Sequence, residues 1–492
     1  MAAPTRSDRL ALRTPAPDAP PAAQPQAESR WRQFAREHWM IIVVLLAATV
    51  VRVITLLAYP PAFWFPDSLP YVQAAVSPAP YAIRPVGYSF LLLILEPAHS
   101  VLFVIALQHI MGLVIAAQTY AVLRRHRLPA WGSTLAAIPV AGSAYAIQIE
   151  HFVLSDAFFG LLVTSAIALV LWRPRPRVWV CCVVGLILAW AALDRSQGML
   201  LIAPFVLYLA VARLGLRRFL ISAGAMCLAF GVPVLAYCAW FDQSYGTFEI
   251  TTSTGAFLYS RVAAFAECSA DKPPADERWL CLSTPVSKRE YAGWYVWAAQ
   301  SPLNHGPAWE FSSEVNHLAT GFALRAIMAQ PVAYLRTVWD ATAETFLPEQ
   351  LTNKSQDQYM FPAAVPESLQ SIATKNGEQI SYGSAYNGGA DLDTRMVQPF
   401  AGWMQDYQNK FALPGPLIGA IVLIGLIGTA LARRRCGPAL LAWLTGVVLI
   451  VTPAATADYD ARYVVASLPA FCVAAALGLR EIDYRLRSRK AR

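Results

Sequence analysis

Ten apolar runs, bracketed by arginines, constrain this chain more than any other feature in it. They lie near 39–59, 100–123, 131–149, 153–172, 178–193, 198–212, 219–240, 414–432, 438–454 and 463–479. Crossing about 30 Å of hydrocarbon takes about 20 apolar residues in a helix. The pattern therefore predicts an all-α polytopic membrane protein of about ten transmembrane helices. The runs at 178–193 and 198–212 are short, and Asp194-Arg195 breaks the turn between them. The first run is too long for a signal core and lacks a small-residue cleavage pattern, so it is expected to stay as a span.

Charge sets the orientation. Arginine clusters fill alternate connections: Arg124, Arg125 and Arg127; Arg173, Arg175 and Arg177; Arg213, Arg217 and Arg218; Arg433, Arg434 and Arg435. These loops hold no Asp or Glu, and both chain ends are basic. Positive loops face the cytoplasm, so both termini are expected inside and the polar chemistry outside. Only 14% of residues are charged and 56% are hydrophobic, which excludes an ordinary soluble enzyme or a disordered chain. The net charge of +8 belongs to those loops, and no nucleic-acid partner is expected.

These patterns divide the chain. Residues 1–38 form a disordered cytoplasmic tail, and 39–240 form an N-terminal module of about seven spans with an outer loop at 60–99. Residues 241–412 form an extracytoplasmic segment, 413–480 a module of about three spans, and 481–492 a basic cytoplasmic tail. Segment 241–412 is net acidic and rich in Trp, Tyr, Pro and Asn. Thr247–Val262 alternates like a strand, 312–346 reads as an amphipathic helix broken at Pro331, and a mixed domain or cap is expected. Trp294, Trp297, Trp309 and Trp339 are candidate interfacial anchors. Cys268 and Cys281 share this segment in an oxidising compartment, thirteen positions apart, and are expected to pair. The cysteines within spans read as small apolar residues.

The first outer segment carries Asp67 and Tyr71, four apart and so on one face if helical, then Arg84-Pro85-Val86-Gly87-Tyr88. An isolated Asp among apolar residues is costly unless paired or solvated. Asp67 is therefore either a general base or a turn or N-cap residue. Glu150-His151 end one run and Ser155-Asp156 open the next. Asp156 suits catalysis or capping, Glu150 catalysis or ordinary interfacial charge, and His151 a proton relay or a structural hydrogen bond. Arg84, Arg195 and Arg462 suit an anion site, since guanidinium forks onto phosphate and stays charged in a dry cleft. The alternative for Arg195 is Asp194, and for Arg462 it is Asp458 or Asp460. Arg52, in the first span, is expected to reach the cleft or the headgroups.

The order of these features resembles the GT-C superfamily of integral-membrane glycosyltransferases: Asp-x-x-x-Tyr, Arg-Pro-x-Gly-Tyr, an acidic residue opening a later span, Leu193-Asp194-Arg195, and Ala461-Arg462-Tyr463 leading to Leu468-Pro469. The similarity is to the branch that uses polyprenyl-phosphate sugars, such as the protein O-mannosyltransferases, the lipid A aminoarabinose transferases and the mycobacterial arabinosyltransferases. It covers most of 39–240 and 454–480, and nothing in 241–412.

The resemblance implies an inverting transfer from a polyprenyl-phosphate sugar to a cell-envelope glycan, lipid or protein acceptor. Asp67 would be the base and Asp156 or Glu150 the second acidic residue. Arg84, Arg195 and Arg462 would hold the phosphate, with Tyr71, Tyr88, His151 and Arg52 as further candidate contacts. Val86 and Ser196 stand where many relatives have proline. Asp67 stands alone where relatives often have an acidic pair, so no metal ligand set is assigned and a divalent Mg or Mn stays an open option. The absence of P-loop, Rossmann and zinc motifs speaks against a nucleotide-driven enzyme. A lipid-linked sugar flippase or transporter and a polymer ligase are the alternatives, although transporters concentrate ionisable groups near the bilayer midplane.

Overall fold

The computed structural model describes residues 30–348, 360–376, 380–432 and 437–490. The tail before Arg30, the cluster at Arg433–Arg435, Cys436 and the last two residues lie outside them. Two units divide the chain at Trp39, and the first is described from Arg30, where it is helical. Residues 30–38, expected within a disordered tail, are helical, and the rest of that tail lies outside the described residues. The second unit is Met40–Arg492, and it holds every candidate site residue.

Among the described residues every regular element is helical. In chain order they are α1 (Arg30–Ala58), α2 (Ser68–Val76), α3 (Gly87–Leu95), α4 (Val101–Arg125), α5 (Ala130–Gly142), α6 (Ala144–Ile149), α7 (Asp156–Leu171), α8 (Val178–Asp194), α9 (Ile202–Val211), α10 (Leu216–Tyr245), α11 (Thr254–Ala263), α12 (Cys268–Asp271), α13 (Ala292–Trp297), α14 (Ser313–Ala329), α15 (Pro331–Ala343), α16 (Leu369–Asn376), α17 (Ile380–Tyr386), α18 (Phe400–Phe411), α19 (Gly415–Ala432), α20 (Gly437–Thr456) and α21 (Arg462–Lys490). Helices occupy all ten apolar runs, but six are long and apolar enough to cross a membrane: α1, α4, α10, α19, α20 and α21. The others are shorter: α7 and α8 have 16 and 17 residues, α9 has 10, and the run at 131–149 breaks at Ser143 into α5 and α6.

Local chemistry explains the ends. Ser100 caps α4 by accepting from the Phe103 amide at 3.2 Å, and Arg124 and Arg125 sit in its last turn, where cations meet exposed carbonyls. α21 is the most enclosed span, packed against α4, α5, α7, α19 and α20. A Cβ added at Gly428 of α19 would lie 2.1 Å from the Gly478 Cα of α21. In a bilayer, where water does not drive helices together, such small-residue crossings bring backbones into contact.

Segment 241–412 contributes two bodies. Residues from Ala256 to Ala326, with Ala82, build a separate core around Tyr259, Phe311, Val315 and Phe322, closed by the Cys268–Cys281 disulfide. Thr247–Val262 is not a strand. From Thr254 it becomes α11, buried against α14, where Asn316 Oδ1 accepts from the Gly255 amide at 2.6 Å. The domain expected as mixed has only helical elements in its described part. α14 and α15 meet at Pro331 with a bend of 104°. Trp297, Trp309 and Trp339 are exposed, whereas Trp294 packs onto the outer core.

The second body, 361–411, straps the loop that follows α1. The Arg395 and Val397 amides donate to the Pro60 and Ala58 carbonyls at 2.8 Å each, and Trp64 Nε1 donates to the Leu392 carbonyl at 2.7 Å.

Candidate active site

The loop after α1 is fixed from two sides. Phe63 bridges to Phe152: its amide donates to the His151 carbonyl at 2.9 Å, and its carbonyl accepts from the Val153 amide at 3.2 Å. On the other side Thr394 Oγ1 donates to the Ala62 carbonyl at 2.5 Å. The held loop delivers Asp67 to the start of α2, but its carboxylate does not cap that helix. Instead Oδ2 takes two guanidiniums, Arg84 and, at 3.4 Å, Arg462. Asp67 is 5% exposed, so these partners meet the need of a buried carboxylate. Tyr71 is one turn on, as the spacing predicts, and burial pushes its phenol above the ordinary range.

Arg84 reaches this place because of Gly87. A Cβ there would sit 2.4 Å from the Leu193 carbonyl carbon and 2.5 Å from the Asp194 nitrogen. Only glycine lets α3 start flush against the end of α8. Trp190 Nε1 locks the contact by donating to the Gly87 carbonyl at 3.0 Å. Next, Arg195 adopts extended backbone and pairs with Asp156 at 2.5 Å rather than with Asp194. Asp156 opens α7 and is therefore an ion-pair partner in this arrangement, with no side-chain cap bond at that terminus. Arg462 also meets Asp460 at 3.1 Å. The Arg195 and Arg462 guanidiniums lie over one ring, Tyr463, at 5.1 and 5.5 Å.

Arg84, Arg195 and Arg462 line a cavity of about 420 Å³ together with Tyr71, Asp194 and Gln197. Thr251, Ser253 and Phe257 of segment 241–412 and Thr452 and Thr456 of α20 also line it. Asp67 pairs with two of these guanidiniums, Arg84 and Arg462, and is not itself among the lining residues. The outer core positions both. The Thr252 amide donates to the Ala82 carbonyl at 2.9 Å and Ser253 Oγ to the Ile83 carbonyl at 2.8 Å, just before Arg84. Arg261 pairs with Asp458 at 3.6 Å, and the Gly293 amide donates to Asp458 at 3.1 Å, just before Arg462. Burial pushes the Asp458 carboxyl up, against the pull of Arg261 and two backbone amides.

Three expected contacts, Arg52, His151 and Tyr88, and one candidate catalytic residue, Glu150, sit elsewhere. Arg52 is 2% exposed and reaches neither the cavity nor solvent: it grips Glu150 with Nε and Nη2 at 2.8 and 2.7 Å. Glu150 is accordingly buried in an ion pair rather than an interfacial charge, and it shares only a small void of about 30 Å³ with Asp156. His151 is fully buried, with Nε2 at 2.8 Å from the Tyr59 carbonyl and Nδ1 at 3.1 Å from His109 Nε2. Tyr88 is also buried and donates to Gln108 at 2.6 Å.

Sequence reading did not single out Asp194 as a site residue, nor Gln108, His109 and Tyr463. The pair Gln108-His109 inside an apolar run was the available signal for the inner network. Asp194 was visible as a break between two apolar runs, within the Leu193-Asp194-Arg195 motif and as an alternative partner of Arg195, but not as a site residue. Among the described residues no group of three or more His, Cys, Asp or Glu side chains is placed to hold a metal ion.

No known family profile matches the sequence, and no curated protein matches it. Solved structures do. The oligosaccharyltransferase AglB of Archaeoglobus fulgidus, in complex with an inhibitory peptide and a dolichol-phosphate, is similar with a TM-score of 0.42 at 11% identity, over 93% of this chain and 52% of that one. A second structure of the Archaeoglobus fulgidus enzyme, tethered with an acceptor peptide, gives 0.42 and 11% over 92% and 51%. The protein O-mannosyltransferase Pmt1–Pmt2 complex of S. cerevisiae, bound to the sugar donor, gives 0.33 and 13% over 51% and 37%. The chain thus spans about half the length of the oligosaccharyltransferase chains it matches.

Proposed function

We propose that the protein is a membrane glycosyltransferase of GT-C type, moving a sugar from a polyprenyl-phosphate carrier to an extracytoplasmic glycan, lipid or protein hydroxyl. The observation that carries the reading is the convergence of three guanidiniums on one cavity with the Asp67 carboxylate paired to two of them. The groups come from three distant parts of the chain, and their order matches the resemblance read from the sequence.

In this mechanism the carrier phosphate lies against Arg84, Arg195 and Arg462. The acceptor oxygen forms a bond to the anomeric carbon from the face opposite the phosphate, which inverts the centre. The bond between that carbon and the phosphate oxygen breaks, and its electron pair leaves on the phosphate, where fixed cations stabilise the charge. Asp67 takes the acceptor's proton. Both guanidiniums converge on Oδ2, so Oδ1 lies outside those ion pairs and is the oxygen for the proton. Asp156 acts through Arg195, holding its guanidinium on Tyr463.

Asp67→Asn in the purified full chain tests the reading. Loss of general-base catalysis is expected to slow transfer by about 10²–10⁴-fold while donor binding persists. Unchanged transfer by the variant would overturn the base assignment. Movement of a lipid-linked sugar between leaflets with no acceptor modified would favour a flippase.

A further inference from the structure

The cavity wall contains acceptors that nothing in the fold satisfies. Asp194 ends α8, is 1% exposed and lines the cavity, yet neither carboxylate oxygen has a hydrogen-bond partner. Its neighbour Arg195 is committed to Asp156. Gln197, one turn away in the same wall, also has a buried Oε1 without a partner. Three acceptor atoms of two cavity-lining residues therefore lack donors. Asp67 and Asp156 each hold a guanidinium, although Asp156 Oδ2 also has no hydrogen-bond partner. Buried polar groups are normally satisfied, and an unpaired carboxylate is costly enough that its retention calls for a reason.

The missing partners must be donors, because these atoms only accept when the carboxylate is ionised. The phosphate brings none and belongs with the guanidiniums. A sugar ring brings several, and two adjacent hydroxyls span the two oxygens of one carboxylate. We infer that Asp194, assisted by Gln197, recognises the sugar ring of the donor, accepting hydrogen bonds from its hydroxyls while Arg84, Arg195 and Arg462 hold the phosphate. Asp194 is then a specificity-determining residue. The inference rests on the reading of the cavity as a site for a phosphate-linked sugar.

The test separates the two claims by using ligands with and without a sugar. The full chain in nanodiscs is titrated with farnesyl phosphate and with farnesyl-phosphate mannose, glucose, arabinose and glucosamine. Asp194→Asn keeps the shape but replaces one acceptor by a donor. It is expected to weaken the best sugar-bearing lipid by about tenfold or more, the worth of one hydrogen bond to a charged group, and to leave farnesyl phosphate unchanged. Retained farnesyl-phosphate binding also shows that the variant is folded. Gln197→Leu, at a half-buried position, is expected to act in the same direction more weakly. Equal loss of both ligand types, or no loss of either, overturns the assignment. Wild-type protein that binds farnesyl phosphate but gains nothing from any sugar overturns this inference alone. Wild-type protein that binds none of the ligands overturns the reading of the cavity as well.

Discussion

The inner polar chain has a determined hydrogen-bond direction. The Tyr59 carbonyl can only accept, so His151 Nε2 carries a proton and donates to it. His151 Nδ1 then accepts from His109 Nε2–H, and the 3.0 Å contact between His109 Nδ1 and Glu150 Oε2 requires a further proton, on that nitrogen or on the carboxyl. Burial first, and His109 second, hold the His151 imidazole down at about 3. An unfolded histidine titrates near 6.5, so between those values the unfolded chain binds a proton that the folded chain refuses. Stability from this group is present above about 6.5 and falls as pH drops toward 3. Thermal melts at pH 7 and pH 5 are expected to differ more for wild type than for His151→Gln, and equal differences would refute the assignment. Glu150→Gln strands the Arg52 charge and is expected to cost about 3–5 kcal/mol, read as a lowered melting temperature. The double change Arg52→Met, Glu150→Leu is expected to recover much of that loss, since apolar replacements of buried pairs are often neutral.

Among the helices, the site depends on how one ends against another. α3 starts on the last turn of α8, and this contact places Arg84 beside Asp194 and Arg195. Gly87→Ala puts a methyl into the Leu193 backbone, which cannot yield as a flexible side chain would. The expected result is a destabilisation of about 1–3 kcal/mol, as for overpacking, together with weaker binding of farnesyl phosphate. Normal affinity in the variant would show that α3 does not position Arg84. α15 illustrates the opposite case. Val332, Leu335 and Trp339 are 64–78% exposed along one side, although Tyr334 on the same helix donates to the Ala455 carbonyl near the end of α20 at 3.1 Å. Its apolar side is placed beside the end of a membrane-length helix, as an interfacial helix would be.

Across the full chain, the outer core is a brace. It bonds to the segment just before Arg84 and again to the one just before Arg462, two guanidiniums that meet on Asp67 across 395 positions for the second of them. Asp458 is the tie on one side. Asp458→Ala removes the acceptors for Arg261 and the Gly293 amide. Farnesyl phosphate affinity is expected to fall several-fold, about 1 kcal/mol by the usual conversion, while the melting of the span bundle stays near wild type. Unchanged affinity would mean that α21 places Arg462 without help.

The apolar helices were legible in the amino-acid order alone, because hydrocarbon demands that each segment satisfy its own backbone, and that demand is local. The same order marked Asp67, Asp156, Arg84, Arg195 and Arg462 as costly residues in need of partners. It misled at Thr247–Val262, where a strand-like alternation gave way to burial of α11 against α14. It sent Arg52 to the cleft or the headgroups because no local pattern reveals a partner 98 positions away. Which carboxylate meets which guanidinium, and which is left over, emerged from the folded arrangement. Ion pairing is set by the distance between side chains in space, and Asp194, adjacent to Arg195 in the chain, is the one carboxylate among the described cavity-lining residues that the fold leaves without a hydrogen-bond partner.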